Sequence, residues 1–108
     1  MKIVKMNEQI KGFEGKPLPG DTGIPITFKT VFIECLGSFS DNNNRGNVMQ
    51  AWRLGFKVVD CNAKTLPIED AEFKILNVAT KISRYGAVVM GAVYDMLERA
   101  EKEKVVKK

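Results

Sequence analysis

The stretch "RYGAVVMGAVYDML", residues 84–97, is the most apolar run of the chain and decides how its C-terminal part folds. A membrane span needs about 20 nearly uncharged apolar residues, whereas this run has Arg84 at one end and Asp95 within it. Gly86 and Gly91 do not form a phosphate loop, because no preceding strand, lysine or hydroxyl follows the Walker or dinucleotide patterns. The apolar residues instead recur at the spacing of an amphipathic helix that packs on a core: Tyr85, Val88, Val89, Ala92, Met96 and Ala100.

One side of this helix is expected to pack against another protein surface. Met90 and Tyr94 point away from the apolar stripe, and Gly86, four residues before Met90, allows another helix to approach closely. Two-fold pairing of identical surfaces is the commonest way to cover such a face. The sequence therefore predicts a homodimer formed through Gly86, Met90 and Tyr94. The alternative is that the N-terminal hairpin of the same chain folds over this face.

Two more helices are predicted in the middle of the chain. The first spans about 27–37, with Thr27 as its N-cap and Gly37 as the residue that ends it. The second begins near Asn47, and Gly55 within it indicates that a neighbour packs closely there. Its apolar stripe is expected to face the core, although Trp52 could instead be an exposed recognition residue: Val48, Trp52, Phe56 and Val59, with Met49 beside them.

A third helix is predicted from Pro67 to about Ile82. Proline is tolerated in the first turn of a helix, and the acidic residues that follow it lie where the helix dipole favours negative charge: Glu69, Asp70 and Glu72. We interpret these carboxylates as caps and solubilising groups, not as a catalytic pair. The buried face of this helix is predicted to consist of Ile68, Ala71, Ile75, Val78, Ala79 and Ile82.

The N-terminal segment, residues 1–26, alternates short apolar pieces with glycine and proline, which is typical of turns and short strands. We predict a small hairpin in which residues 12–18 pair with residues 23–27. Pro17 and Pro25 cannot donate to a ladder, which restricts them to strand edges or ends. The predicted fold class is therefore α+β, mainly α, with an N-terminal β-hairpin followed by about four short helices.

The composition is that of one globular domain. The chain has 108 residues, of which 44% are hydrophobic and 28% are charged, and these values lie far from those of disordered or disulfide-stapled chains. The predicted domain spans residues 1–100, with the hairpin segment at 1–26 and the helical part at 27–100. Residues 101–108 are expected to form a frayed basic tail.

The surplus positive charge lies at the two ends of the chain. Residues 1–20 and residues 101–108 each carry four lysines against two glutamates, whereas residues 21–100 carry nine basic and nine acidic residues. Basic ends attract polyanions weakly and without sequence preference, whereas a DNA reader clusters its basic residues on one element. Weak nucleic-acid contact is thus the alternative function, and its candidate phosphate-contacting residues are Lys2, Lys5, Lys102, Lys104, Lys107 and Lys108.

The residue types that carry most enzyme chemistry are scarce. The chain has no histidine, and its two cysteines, Cys35 and Cys61, do not have the spacing of metal ligands. We therefore predict no catalytic residue, no metal, no cofactor and no enzymatic activity. Lys2 and Lys5 are followed by polar residues and not by the apolar segment of a signal peptide, which predicts a cytoplasmic protein with reduced thiols.

A polar loop is the best candidate for contact with a partner. The segment "SDNNNRGN", residues 40–47, contains three successive asparagines, which favour turns and local side-chain bonds over regular structure. The candidate partner-contacting residues are Asp41, Asn42, Asn43, Asn44 and Arg45.

Four segments in order resemble a group of short proteins encoded by tailed bacteriophages and prophages. They are "GKPLPGDTGIPITFKTVFIECL", "AWRLGFKV", "LPIEDAEFKIL" and "YGAVVMGAVYDMLE", and together they extend from about Gly15 to Glu98. The chain departs from the group where the loop at 40–47 replaces an acidic helix start, and where the basic tail is added. The resemblance implies a phage origin, and with it the host cytoplasm, but no catalytic residues. The function expected is that of a non-enzymatic phage accessory protein that binds another protein, either a host factor or a partner in assembly.

Overall fold

The computed structural model describes residues 2–18, 25–40, 44–81 and 85–102, and these residues contain two strands and four helices. The elements are β1 (Lys2–Lys5), α1 (Phe28–Ser38), α2 (Arg45–Asp60), β2 (Thr65–Ile68), α3 (Asp70–Thr80) and α4 (Ala87–Lys102). The predicted class, a mainly helical α+β fold with four helices, is confirmed.

The two strands of the sheet are far apart in the sequence. β1 pairs with β2 in antiparallel register, so that Lys2 lies opposite Ile68 and Lys5 lies opposite Thr65. The sequence did not predict β2, because Pro67 was assigned to the first turn of a helix. Both strands of a two-stranded sheet are edge strands, where a proline removes no essential hydrogen bond.

The N-terminal segment between β1 and α1 folds back on itself. The Ile26 amide donates to the Leu18 carbonyl (2.8 Å), and the Ile10 amide donates to the Ile26 carbonyl (2.8 Å). Residues 12–18 do not form one strand as predicted, because Lys11 pairs with Pro17 and the chain turns between them. Gly15 has φ +82° in the turn between the paired residues Lys11 and Pro17, a conformation that favours glycine.

The helix ends follow local sequence signals with one exception. The Thr27 hydroxyl caps α1 by accepting from the Thr30 amide at 3.2 Å, as predicted. Gly37 does not end this helix, which continues to Ser38. Glu69 and Glu72 form a capping box at the start of α3, which supports the interpretation of the acidic group there as a cap.

The buried side chains form one cluster to which both strands and all four helices contribute. β1 packs against α4, while α1, α2 and α3 pack on one another. The Tyr85 hydroxyl, just before α4, donates to the Glu34 carboxylate on α1. The buried residues of α4 are Val89, Met90, Val93, Met96, Leu97 and Ala100.

The prediction that Met90 points away from the core is wrong. Its side chain is only 6% exposed and belongs to the same cluster as Val4 and Met6, so it does not project away from the core. The buried stripe of α4 is rotated relative to the predicted one, and β1 packs against this helix. The alternative considered from the sequence was a cover supplied by the N-terminal hairpin, whereas the N-terminal element that packs against α4 is the strand β1.

Candidate functional site: the aromatic face of helix α2

Helix α2 buries a different face from the one that its sequence predicts. Its buried residues are Ala51, Leu54 and Val58, and a Cβ built on Gly55 would lie 4.0 Å from the Leu36 Cβ of α1. Positions 51, 54, 55 and 58 have helical spacing, as do the positions of the predicted stripe. The helix is apolar on two sides, and periodicity alone does not decide which of them faces the core.

The predicted core stripe of α2 lies largely at the surface. Its exposed fractions are 39% for Met49, 58% for Trp52, 55% for Phe56 and 48% for Val59. The prediction that Trp52 is a core residue is therefore wrong, because α1 and α3 pack on the side of α2 that carries Leu54. We call the four exposed residues the aromatic face of α2.

Two aromatic rings dominate this face. The Trp52 and Phe56 rings lie edge to face, with their centroids 4.8 Å apart and their planes at 80°. Such a pair holds both side chains in a defined arrangement. The face therefore presents an ordered apolar surface to solvent.

The helix that carries the face is fixed at both ends. At its start, the Asn44 side chain accepts from the Asn47 amide at 3.2 Å. At its end, the Lys29 Nζ of α1 donates to the Cys61 carbonyl at 2.7 Å, which places a positive charge at the negative end of the helix dipole. The backbone beneath the aromatic face is thus held before any partner binds.

The charges at the ends of the face are opposite to those that the helix dipole favours. Arg45 is the first residue of α2 and Asp60 is the last, whereas helices are stabilised by acidic residues at the start and basic residues at the end. Both residues are exposed, and neither forms an ion pair with another residue of the described ranges. The ion pair between Lys57 and Glu72 (3.1 Å) instead joins α2 to α3.

The predicted partner-contacting loop leads into this face. Asp41, Asn42 and Asn43 lie outside the described residues, whereas Asn44 is the N-cap of α2 and Arg45 begins the helix. The structure thus connects the end of the predicted loop to a surface that the sequence had assigned to the core. An exposed Trp52 was the alternative considered from the sequence, whereas Phe56 was missed; the signal that could have found it is the second apolar stripe of α2.

The predicted self-association surface on α4 is not assembled as expected. Met90 is buried, Gly86 is exposed, and Tyr94 is 41% exposed with its hydroxyl donating to the Thr80 carbonyl at 3.1 Å. Among the described residues, a Cβ built on Gly86 would meet no atom within 4 Å, so none of them uses the close approach that glycine allows there. The three residues do not form a shared apolar surface.

The lysines proposed for phosphate contact are only partly described. Lys2 places its Nζ 5.9 Å from the centroid of the Phe73 ring, and Lys5 pairs with Glu8 at 3.2 Å. Lys104, Lys107 and Lys108 lie outside the described residues, as does the side chain of Lys102. The two lysines that the structure shows already interact within the chain.

Cys35 is buried and Cys61 is half-buried, and neither forms a disulfide within the described residues. Residues 2–18, 25–40, 44–81 and 85–102 contain no group of three or more acidic or cysteine side chains that could hold a metal ion. No helix in this part of the chain is long and apolar enough to cross a membrane.

Comparison of the chain with protein-family models, with curated proteins and with solved structures gives no match. The role of the aromatic face must therefore be inferred from its own geometry.

Proposed function

We propose that this protein is a non-enzymatic accessory protein, of the phage-encoded kind that its sequence resembles, and that it acts by binding protein through the aromatic face of α2. The observation that carries the proposal is the exposure of four large apolar side chains in one stripe: Met49, Trp52, Phe56 and Val59. Isolated exposed apolar residues are common, but a contiguous apolar surface marks an interaction site.

The residue types of the face suit protein recognition. Tryptophan is enriched among the residues that dominate binding energy, and aromatic residues, methionine and arginine are enriched at interfaces. The face contains residues of these types: Trp52, Phe56 and Met49. Arg53 lies beside them at an exposed position of the same helix. Burial of apolar surface contributes about 25 cal/mol per Å², so covering these side chains would favour association.

The rigidity of α2 favours the same function. Binding by a mobile segment loses free energy when that segment becomes ordered. Here the Asn44 cap and the Lys29 hydrogen bond already fix the two ends of the helix, and the ring contact orders Trp52 and Phe56. The conformational entropy that α2 loses on binding is therefore small.

The proposal can be tested by affinity capture from the cells in which the protein is naturally made, followed by mass spectrometry. The variant Trp52→Ser/Phe56→Ser removes the face, and Val78→Ser, at a 43% exposed position of α3, is a matched control for loss of an exposed apolar residue. Proteins recovered with the wild type and the control, but not with the face variant, are expected. Recovery of the same proteins by all three would contradict the proposal.

Nuclease treatment of the lysate separates this function from the nucleic-acid alternative. Protein partners bound by the aromatic face should remain after nuclease treatment. If every recovered protein disappears with the nucleic acid, recovery reflects a shared polyanion and the alternative function through the basic ends is favoured.

A further inference from the structure

We infer that the partner that covers the aromatic face is a second copy of this chain, with the two α2 helices packed antiparallel about a two-fold axis. The inference rests on the proposed function, because it concerns the occupant of the same face. It places the dimer contact on α2 and not on α4.

The first support is the arrangement of the residues along α2. The helix spans Arg45–Asp60, so its midpoint lies between Trp52 and Arg53. In an antiparallel pair centred there, Met49 of one chain lies opposite Phe56 of the other, and the two Trp52 side chains meet near the axis. Methionine sulfur against an aromatic ring is a favourable contact, and the symmetry creates it twice.

The second support is the position of these residues around the helix. At 3.6 residues per turn, positions 45, 49, 52, 56 and 60 fall within a sector of roughly 80°. One helix face therefore carries a basic residue at its start, apolar residues along its middle and an acidic residue at its end. Such a face is complementary to itself only when the second copy runs in the opposite direction.

The third support is charge. Arg45 and Asp60 lie 15 positions apart, about 22 Å along the helix, so they cannot pair within one chain. Each lies at the end of α2 where the dipole disfavours it. In the antiparallel pair, Arg45 of each chain lies beside Asp60 of the other. The two-fold axis therefore creates two such pairs of opposite charges, one at each end. Complementary charges of this kind set the register of an interface.

The same charges disfavour other occupants. A nucleic acid or an anionic membrane would find no net positive charge in this sector, because Asp60 offsets Arg45. A partner protein with an apolar helix would have to supply an acidic group at one end and a basic group at the other. The second copy supplies both without further assumption.

Sedimentation equilibrium of two charge variants, Arg45→Asp and Asp60→Arg, tests the inference. Alone, each variant places like charges together at both ends of the antiparallel pair, and its self-association should weaken by about tenfold or more. When the two variants are mixed in equal amounts, a pair made of one chain of each has opposite charges facing each other at both ends of the helices. We therefore expect the mixture to form a heterodimer at least as tightly as the wild type forms its dimer.

Controls separate the contact from the fold. The double variant Arg45→Asp/Asp60→Arg restores opposite charges between its own two copies and should associate as the wild type does. Val78→Ser should leave association unchanged, whereas Trp52→Ser should abolish it with the circular dichroism spectrum unaltered. If the mixture of single variants associates no better than each variant alone, the antiparallel arrangement is overturned.

Different experimental results would contradict this inference and the proposed function. A wild-type chain that is monomeric up to about 1 mM, where even an affinity of about −4 kcal/mol would be visible, overturns the second copy as occupant. The proposed function stands in that case if the Trp52→Ser/Phe56→Ser variant loses partners that the wild type captures. The proposed function fails as well if this variant and the wild type capture the same proteins.

Discussion

The Trp52 indole lies edge to face against the Phe56 ring on the solvent side of α2, with the ring centroids 4.8 Å apart. Aromatic pairs of this geometry contribute about 0.5–1.5 kcal/mol beyond the area that they bury. The pair keeps two large side chains ordered where more than half of each remains exposed. Trp52 and Phe56 therefore resemble the anchors of an interface more than parts of a monomer core.

The first prediction compares two neighbours on α2. Leu54 is 1% exposed and Trp52 is 58% exposed. We expect Leu54→Ala to lower the free energy of unfolding by about 2–5 kcal/mol, because it leaves a cavity in the core. Trp52→Ala should lower it by about 1 kcal/mol or less, since the change is at the surface. Urea denaturation at low micromolar concentration measures both, and a larger loss for Trp52→Ala would contradict the exposure of the face.

The second prediction concerns the support of α2 by α1. Lys29→Met removes the charged hydrogen bond to the Cys61 carbonyl while keeping most of the side-chain volume. The free energy of unfolding should fall by about 1–2 kcal/mol. Lys74→Met, at an exposed position of α3, is the matched control and should change it by less than about 0.5 kcal/mol. Equal effects of the two substitutions would show that the Lys29 contact does not stabilise α2.

The third prediction concerns the charges at the ends of α2. At concentrations at which the chain is monomeric, Arg45→Asp and Asp60→Arg should each stabilise the fold by about 0.3–1 kcal/mol, because each places the favoured charge at its end of the helix. Arg53→Gln, near the middle of the helix, should have little effect. Thermal unfolding followed by circular dichroism gives the comparison. Destabilisation by both end variants would mean that Arg45 and Asp60 already have favourable partners within the monomer.

The fourth prediction concerns the basic tail. Any binding of the full chain to double-stranded DNA should be weak, should decrease steeply with salt, and should disappear when residues 101–108 are removed. Fluorescence anisotropy with a labelled duplex at low and at physiological salt measures this. Equal binding by chain 1–100 would reveal a structured phosphate-binding face and would favour the nucleic-acid alternative.

Local signals of the sequence predicted the helices well. Thr27 caps α1, the acidic residues 69–72 cap α3, and the spacing of apolar residues located α1, α2 and α4 to within a few positions. These features depend on residues that are neighbours in the chain. The sequence alone was therefore sufficient for the class of the fold.

The non-local features were not predictable in the same way. The pairing of β1 with β2 joins residues at least sixty positions apart, and nothing in "TLPI" distinguishes an edge strand from the first turn of a helix. The buried side of α2 depends on where α1 and α3 pack, and Met90 is buried because β1 covers α4. The candidate site was missed for this reason: Trp52 and Phe56 follow the pattern of a core stripe, and only the tertiary packing places them at the surface.

The central claim, that a second copy covers the aromatic face, is tested most directly by the emission of Trp52, the only tryptophan in the chain. Emission maximum and acrylamide quenching should be recorded from low micromolar to about 1 mM protein. We predict an exposed, readily quenched indole at low concentration and a blue-shifted, protected one at high concentration, with the change following the increase in mass. Emission and quenching that stay constant over this range would contradict the account.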